Sequence, residues 1–226
     1  MTDTRALMRS LCETKRPQLQ RANKCSEWRP PSVTQLSIEK TLAKAIKDFI
    51  MQSYRTRELK GRIESTIHDK LLDAIHEALE QATHEGRLIA TGKHERGIIN
   101  AAKNLAGRAV QLVSDIVDSL RDKARDIINA VFGDDSIDNP ETVAEQELAD
   151  WADIYSEGVA ENEIQMAVNE AIIEEMTNQG IEQFDLVLDP DACQACRDIY
   201  EQTPIVSSKG PLPPFHMRCR CEVVEH

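Results

Sequence analysis

Four of the six cysteines fall in the last 34 residues, and a histidine sits among them. The first cluster is Cys193-Gln194-Ala195-Cys196, and the second, about twenty residues on, is His216-Met217-Arg218-Cys219-Arg220-Cys221. A two-residue gap lets both thiolates of a tight turn face one ion at about 2.3 Å each. A second cluster at this distance along the chain closes a tetrahedral site, a spacing that suits structural zinc. Cys193, Cys196, His216, Cys219 and Cys221 compete for four positions, so one of Cys219, Cys221 and His216 is expected to stand outside the shell. A closed shell of protein ligands leaves no place for substrate, so such a site holds a fold and does not catalyse. The segment is short, loop-rich and poor in apolar residues, and needs a staple of this kind. Disulfides in an oxidised particle and free thiols remain alternatives for the same cysteines. A redox Cys-x-x-Cys is disfavoured because no βαβ context surrounds it.

The flanking charges bear on the same site. Arg218 and Arg220 bracket Cys219. They are expected either to neutralise a thiolate-rich cluster or to pair with Asp189 and Asp191.

The elements that must position this cluster read mainly as helix. Residues 1–34 contain Pro17, Pro30 and Pro31 and show no sustained period, which predicts an extended arm. Ser37 is a plausible N-cap for a helix whose apolar face is Ile38, Leu42, Ile46, Phe49 and Ile50. Gly61 suggests a break before Ile63, Ile67, Leu71, Ile75, Leu79 and Ala82 resume helical spacing. Gly86, Gly92 and Gly97 are expected to loosen the middle. A long helix then carries Ile98, Ala102, Leu105, Ala109, Leu112, Ile116, Leu120 and Ile127, ending at Gly133 and Asp134-Asp135-Ser136. Asn139-Pro140-Glu141 reads as N-cap, N1 and acidic first turn of the next helix, with Leu148, Trp151, Ile154 and Tyr155 along it. Gly158 is expected to interrupt it before Ile164, Val168, Ile172 and Met176, and Gly180 to stop it. Phe184–Leu188 is the first stretch that reads as a strand. The expected architecture is mainly α: an extended basic arm (1–34), a helical body (35–149) and a small C-terminal α+β module closed by the Cys/His cluster (150–226).

Composition narrows the function classes. Aromatic residues make up only 4% of the 226, too few for a large β-sandwich. No apolar run is long enough for a transmembrane helix, and residues 1–10 are polar and basic, unlike a signal peptide. Synthesis in the cytoplasm and no membrane partner are expected. Charge is uneven: residues 1–34 hold seven Lys/Arg against three Asp/Glu, whereas the rest hold 20 against 36. From Asp126 to Cys196 there is no Lys or Arg at all. Such a basic arm suits nucleic acid or an acidic partner, although a solvated tail and a solvated helix face explain the same pattern.

His68, His76, His84 and His94 lack metal-ligand spacing and read as surface or interface residues. Cys12 and Cys25 on the arm read as free thiols, with a covalent tie to another subunit the alternative in an oxidised particle. Trp151 and Tyr155, four apart, read as core or interface anchors. Carboxylate pairs such as Glu174-Glu175 and Asp134-Asp135 lack the apolar surroundings that acid/base work needs. No phosphate-binding Gly-rich loop and no Gly-x-Ser-x-Gly is present, so no enzyme is expected.

Cys193-x-x-Cys196 followed by Pro213-Pro214-x-His216-x-x-Cys219-Arg220-Cys221 resembles the C-terminal signature of the phage Mu F-like minor head proteins. Asp189 fits that family's Asp shortly before Cys-x-x-Cys. Upstream, Glu161-Asn162-Glu163 stands where the family carries Arg-Thr-Glu, so only the Glu matches, and Ala167, Asn169, Glu170 and Ala171 follow in its Asn- and Ala-rich helix. The family's Gly soon after Cys-x-x-Cys is missing from Arg197-Asp198-Ile199-Tyr200-Glu201. The resemblance spans residues 150–224, about a third of the chain. It implies a low-copy structural protein of a tailed-phage virion, placed at the portal vertex or head interior and aiding head assembly, DNA packaging or genome delivery. The partners so implied are the portal protein, the major capsid protein, packaged DNA and further copies of the chain around the vertex. The alternative is a zinc-stabilised nucleic-acid-binding protein. The Cys/His segment offers it few cations: Arg197, Lys209, Arg218 and Arg220.

Overall fold

The computed structural model describes residues 29–55, 65–91, 101–134, 136–203, 205–207 and 212–225. Gly61, Ile63, Gly92, His94, Gly97, Ile98, Asp135, Lys209, Cys12, Cys25 and the arm up to residue 28 lie outside them. The described residues form helices α1 (Val33–Arg55), α2 (Ser65–Thr91), α3 (Ala101–Phe132), α4 (Pro140–Asn178) and α5 (Gln194–Gln202). Strands β1 (Gln183–Val187), β2 (Ile205–Ser207) and β3 (Glu222–Glu225) complete the described fold.

The expected apolar residues of α1, α2 and α3 whose side chains are described are buried, whereas Ile154 of α4 is 66% exposed. Ile38, Leu42, Ile46, Phe49 and Ile50 of α1 meet Ile67, Leu71, Ile75 and Leu79 of α2 in one core with Leu105, Ile116 and Leu120 of α3. Helix α1 begins earlier than Ser37. The Ser32 hydroxyl accepts the Gln35 N–H at 2.9 Å, so Ser32 is the cap. Ser37 lies inside the helix, where its carbonyl accepts the Thr41 hydroxyl. Residues 33–34, assigned to the arm from sequence, are therefore the first turn of α1.

Helix α4 is the axis of the fold, packing against α1, α2 and α3. Small residues allow this: Ala144, Ala152, Ala160, Ala167 and Ala171 are all buried and let neighbours approach closely. Gly86 serves the same end. It does not loosen the chain but lies within α2, where a Cβ would fall 2.5 Å from the Val168 carbonyl oxygen and 2.8 Å from Ala171 Cβ. Gly158 likewise does not interrupt α4, which runs unbroken for 39 residues through the boundary drawn at 149/150. Asn139 adopts φ 59° and caps through its carbonyl, which accepts Thr142 N–H at 3.1 Å. At the far end Gly180, at φ +87°, closes a Schellman motif: Ile181 N–H reaches the Met176 carbonyl and Gly180 N–H that of Thr177.

The charge asymmetry has a structural cause. Seven carboxylates of α4 take cations from the surrounding elements. Lys47 meets Asp153 and Arg55 meets Glu145 from α1, and Arg87 meets Glu175 from α2. Arg108 of α3 joins Glu163 and Glu170, while Arg218 and Arg220 reach Glu157 and Glu161. Part of the acidic run thus pairs with neighbouring elements of the same chain, with Glu145, Asp153, Glu157 and Glu170 still at the solvent-facing side.

The sheet has order β2-β1-β3 with both pairs antiparallel. Phe184 and Leu186, two apart on β1, project to one face. Phe184 joins the helical core, and Leu186 joins a second cluster with Cys196, Cys219 and Cys221. Strand β1 thus ties the body to the Cys/His module.

Candidate metal centre

Cys193 caps α5 and Cys196 lies in its first turn. The turn that delivers them is built on Asp189, whose carboxylate accepts Asp191 N–H at 2.7 Å and whose carbonyl accepts Ala192 N–H at 2.9 Å. His216, Cys219 and Cys221 come from the loop that leads into β3, and Cys219 N–H closes a turn on the His216 carbonyl at 3.1 Å. All five residues singled out from sequence are brought together. The donor atoms of Cys193, Cys196 and His216 lie within 4.8 Å of one another, as do those of Cys196, Cys219 and Cys221. Cys196 belongs to both triads.

The imidazole is aimed at the thiols. His216 Nε2 is 3.1 Å from Cys193 Sγ and 3.0 Å from Cys196 Sγ. Its Nδ1 lies 2.7 Å from the Met217 carbonyl, which accepts only, so the proton belongs on Nδ1 and the Nε2 lone pair is free. Cys196 Sγ and Cys219 Sγ are 3.6 Å apart, far beyond the ~2.05 Å of a disulfide. The four described cysteines are free thiols.

The polar surroundings favour thiolate at two positions. Backbone N–H groups of Cys196 and Ala195, at the α5 N-terminus, lower the Cys193 pKa. A hydrogen bond from the Cys221 thiol, helped by the N–H groups of Phe215 and Cys221, brings Cys219 down to about 5. Burial pushes Cys196 up to about 12, and the Cys219 sulfur together with burial raises Cys221. His216 is raised, first by its bond to the Met217 carbonyl. Soft sulfur donors, three of them buried, and one neutral imidazole nitrogen suit a thiophilic cation such as Zn2+. The cluster could therefore hold a metal ion.

A line of buried polar residues, which the sequence reading missed, anchors the cluster to the body. Arg220 Nη1 and Nη2 donate to Glu39 Oε1 and Oε2 at 2.5 and 2.8 Å, and Glu161 stands 3.5 Å from Nη2. Gln35 Nε2 donates to Glu39 and to Gln165, and Gln165 to Asn169. Asn169 Nδ2 holds the carbonyls of Pro213 and Cys221 at 3.1 and 3.2 Å. The pairing expected between the arginines and Asp189 or Asp191 is replaced by this one. Asp191 is exposed, and Asp189 adds only a minor attraction to Arg220. The missed signal was an i, i+4 ladder of amides and carboxylates: Gln35 and Glu39 on α1, Glu161, Gln165 and Asn169 on α4.

Gly158 faces the same loop. A Cβ there would lie 2.8 Å from Met217 Sδ, so the absent side chain makes room for the residue after His216. Trp151 and Tyr155 stack at 4.6 Å against the core. His76 and His84 are exposed, His68 is half-buried, and none of these joins a metal-capable group. Among the described residues no helix is long and apolar enough to cross a membrane.

Comparison of the chain with protein-family models, with curated proteins and with solved structures finds no match.

Proposed function

We propose that this chain is a structural minor head protein of a tailed bacteriophage, at the portal vertex or head interior, and that its C-terminal knot holds one structural zinc ion. The observation that carries the reading is how the Mu F-like motif is used here. Each of its polar residues acts within one clasp: Cys193, Cys196, His216, Cys219 and Cys221 converge, the Pro213 carbonyl is held by Asn169, and Arg220 reaches Glu39. Asn169 lies in the helix to which the resemblance extends. A module of this design braces a helical body and offers no open coordination position for a substrate, which supports a non-enzymatic role. Zinc would supply the cross-link that this loop-rich segment lacks.

The alternative, a zinc-stabilised nucleic-acid-binding protein, asks for a free basic face. Arg218 and Arg220 are instead committed to Glu157, Glu161 and Glu39. The test is co-purification of the full chain with the portal and major capsid proteins of the same phage. Retention by the portal protein is the expected result, and binding to neither would overturn the head reading. Elemental analysis of the purified chain, expected to give one zinc per chain, tests the metal separately.

A further inference from the structure

Five donors converge where a tetrahedral ion takes four, and the structure distinguishes among them. We infer that Cys193, Cys196, His216 and Cys219 are the ligands, and that Cys221, buried directly before β3, stands outside the shell. This deepens the zinc reading above and rests on it.

The donor separations come near those of a tetrahedral site. Around a tetrahedral ion with metal–sulfur bonds of about 2.3 Å, sulfurs stand roughly 3.8 Å apart and a nitrogen about 3.5 Å from each sulfur. The Cys196–Cys219 separation of 3.6 Å is near the first value. The separations of 3.0 and 3.1 Å from His216 Nε2 to Cys196 and Cys193 are somewhat short of the second. One ion among these atoms asks that Cys219, which shares no triad with Cys193 or His216, close towards α5 with its turn. Cys196, shared by both triads, is the pivot of that closure.

His216 and Cys219 share one hydrogen-bonded turn, so closing that turn towards α5 carries both, although their donor atoms fall in separate triads. Cys221 lies beyond that turn, directly before β3, and its carbonyl is pinned by Asn169 Nδ2. Moving Cys221 towards Cys193 would pull on both the strand and that amide.

Two measurements on the full chain test the assignment. Zinc-edge X-ray absorption of the wild-type protein should show three sulfur neighbours and one nitrogen; four sulfurs would overturn it. Cobalt(II) substitution then separates the cysteines through the intensity of the thiolate-to-cobalt band. Cys221→Ser should retain cobalt with full intensity, whereas Cys219→Ser should lose about one third, the share of one thiolate among three. Loss of that share in Cys221→Ser, with Cys219→Ser unchanged, would overturn it. Should Cys221→Ser fail to fold, Cys221→Ala and His216→Ala carry the test. The first should keep the band, and the second should keep its thiolate intensity while its ligand-field bands shift. An unchanged His216→Ala spectrum overturns the assignment. Wild-type protein that takes up neither zinc nor cobalt would sink the zinc reading itself, and this assignment with it.

Discussion

Arg220 and Glu39 form a two-point ion pair across 181 residues of chain, with the guanidinium side chain 16% exposed and the carboxylate side chain 6%. The pair joins the loop between two cysteines of the cluster to the second turn of α1. Its Coulombic gain offsets a desolvation cost, so its removal is costly mainly because one charge is left buried alone. Arg220→Ala is expected to destabilise the chain by about 3–5 kcal/mol. Arg220→Met combined with Glu39→Leu should recover much of that loss. A denaturant titration of the two variants checks this. A double variant no more stable than Arg220→Ala would show that the pair, and not the stranded charge, matters.

Nothing in the sequence alone marks Arg220 and Glu39 as partners. The apolar face Ile38, Leu42, Ile46, Phe49 and Ile50 was legible because burial needs only the helical period, and the Gly180 stop because only glycine accepts that φ cheaply. The five Cys and His donors were legible from spacing. Gln35, Glu39, Glu161, Gln165 and Asn169 were not, since polar residues four apart look like a solvated face until the partner helix is placed. Gly86 and Gly158 look like breaks in the sequence alone. Sequence shows that a side chain is missing there, but not that Val168 or Met217 fills the gap. Strands β2 and β3, of three and four residues, are too short to show a period.

The two glycines differ in what a methyl group would meet, which gives a graded prediction. At Gly86 the obstacle is backbone, the Val168 carbonyl at 2.5 Å, and α2 and α4 would have to move apart. At Gly158 it is the thioether of Met217, a flexible side chain 53% exposed. Each Gly→Ala change gains roughly 1 kcal/mol of helix propensity. Gly158→Ala should therefore lie within about 1 kcal/mol of wild type, whereas Gly86→Ala should lose about 1–3 kcal/mol. Thermal melts of both variants at one pH decide it, and equal losses would contradict the geometry.

Metal removal should open the knot without dissolving the body. The helical core includes Leu42, Ile75, Ile116 and Leu148, none of which touches the cysteine cluster. In excess chelator at 25 °C the far-ultraviolet helical signal should fall by little more than the contribution of the nine-residue α5. The melting temperature should fall because a folded-state ligand is lost. Global loss of helix on chelation would mean that the body cannot stand without the knot.

Glu222, the first residue of β3, gives the chain a pH dependence of its own. It borders a cavity of about 140 Å3 with Arg29, Ser32, Gln35, Ile172 and Met176, and burial raises its pKa to about 7 against the pull of the Arg29 N–H and charge. A carboxyl whose folded pKa lies above its unfolded value of about 4.3 favours the folded state below that value, and the benefit is lost as pH rises through 7. Glu222→Gln keeps an oxygen for the Arg29 N–H but removes the buried charge. The variant should match wild type near pH 4.5 and exceed it at pH 8 by on the order of 1–3 kcal/mol. Denaturant midpoints at the two pH values, both measured with zinc present, make the comparison. A variant less stable than wild type at pH 8 would show that the ionised carboxylate is held by the Arg29 charge, and that burial is not the dominant influence on it.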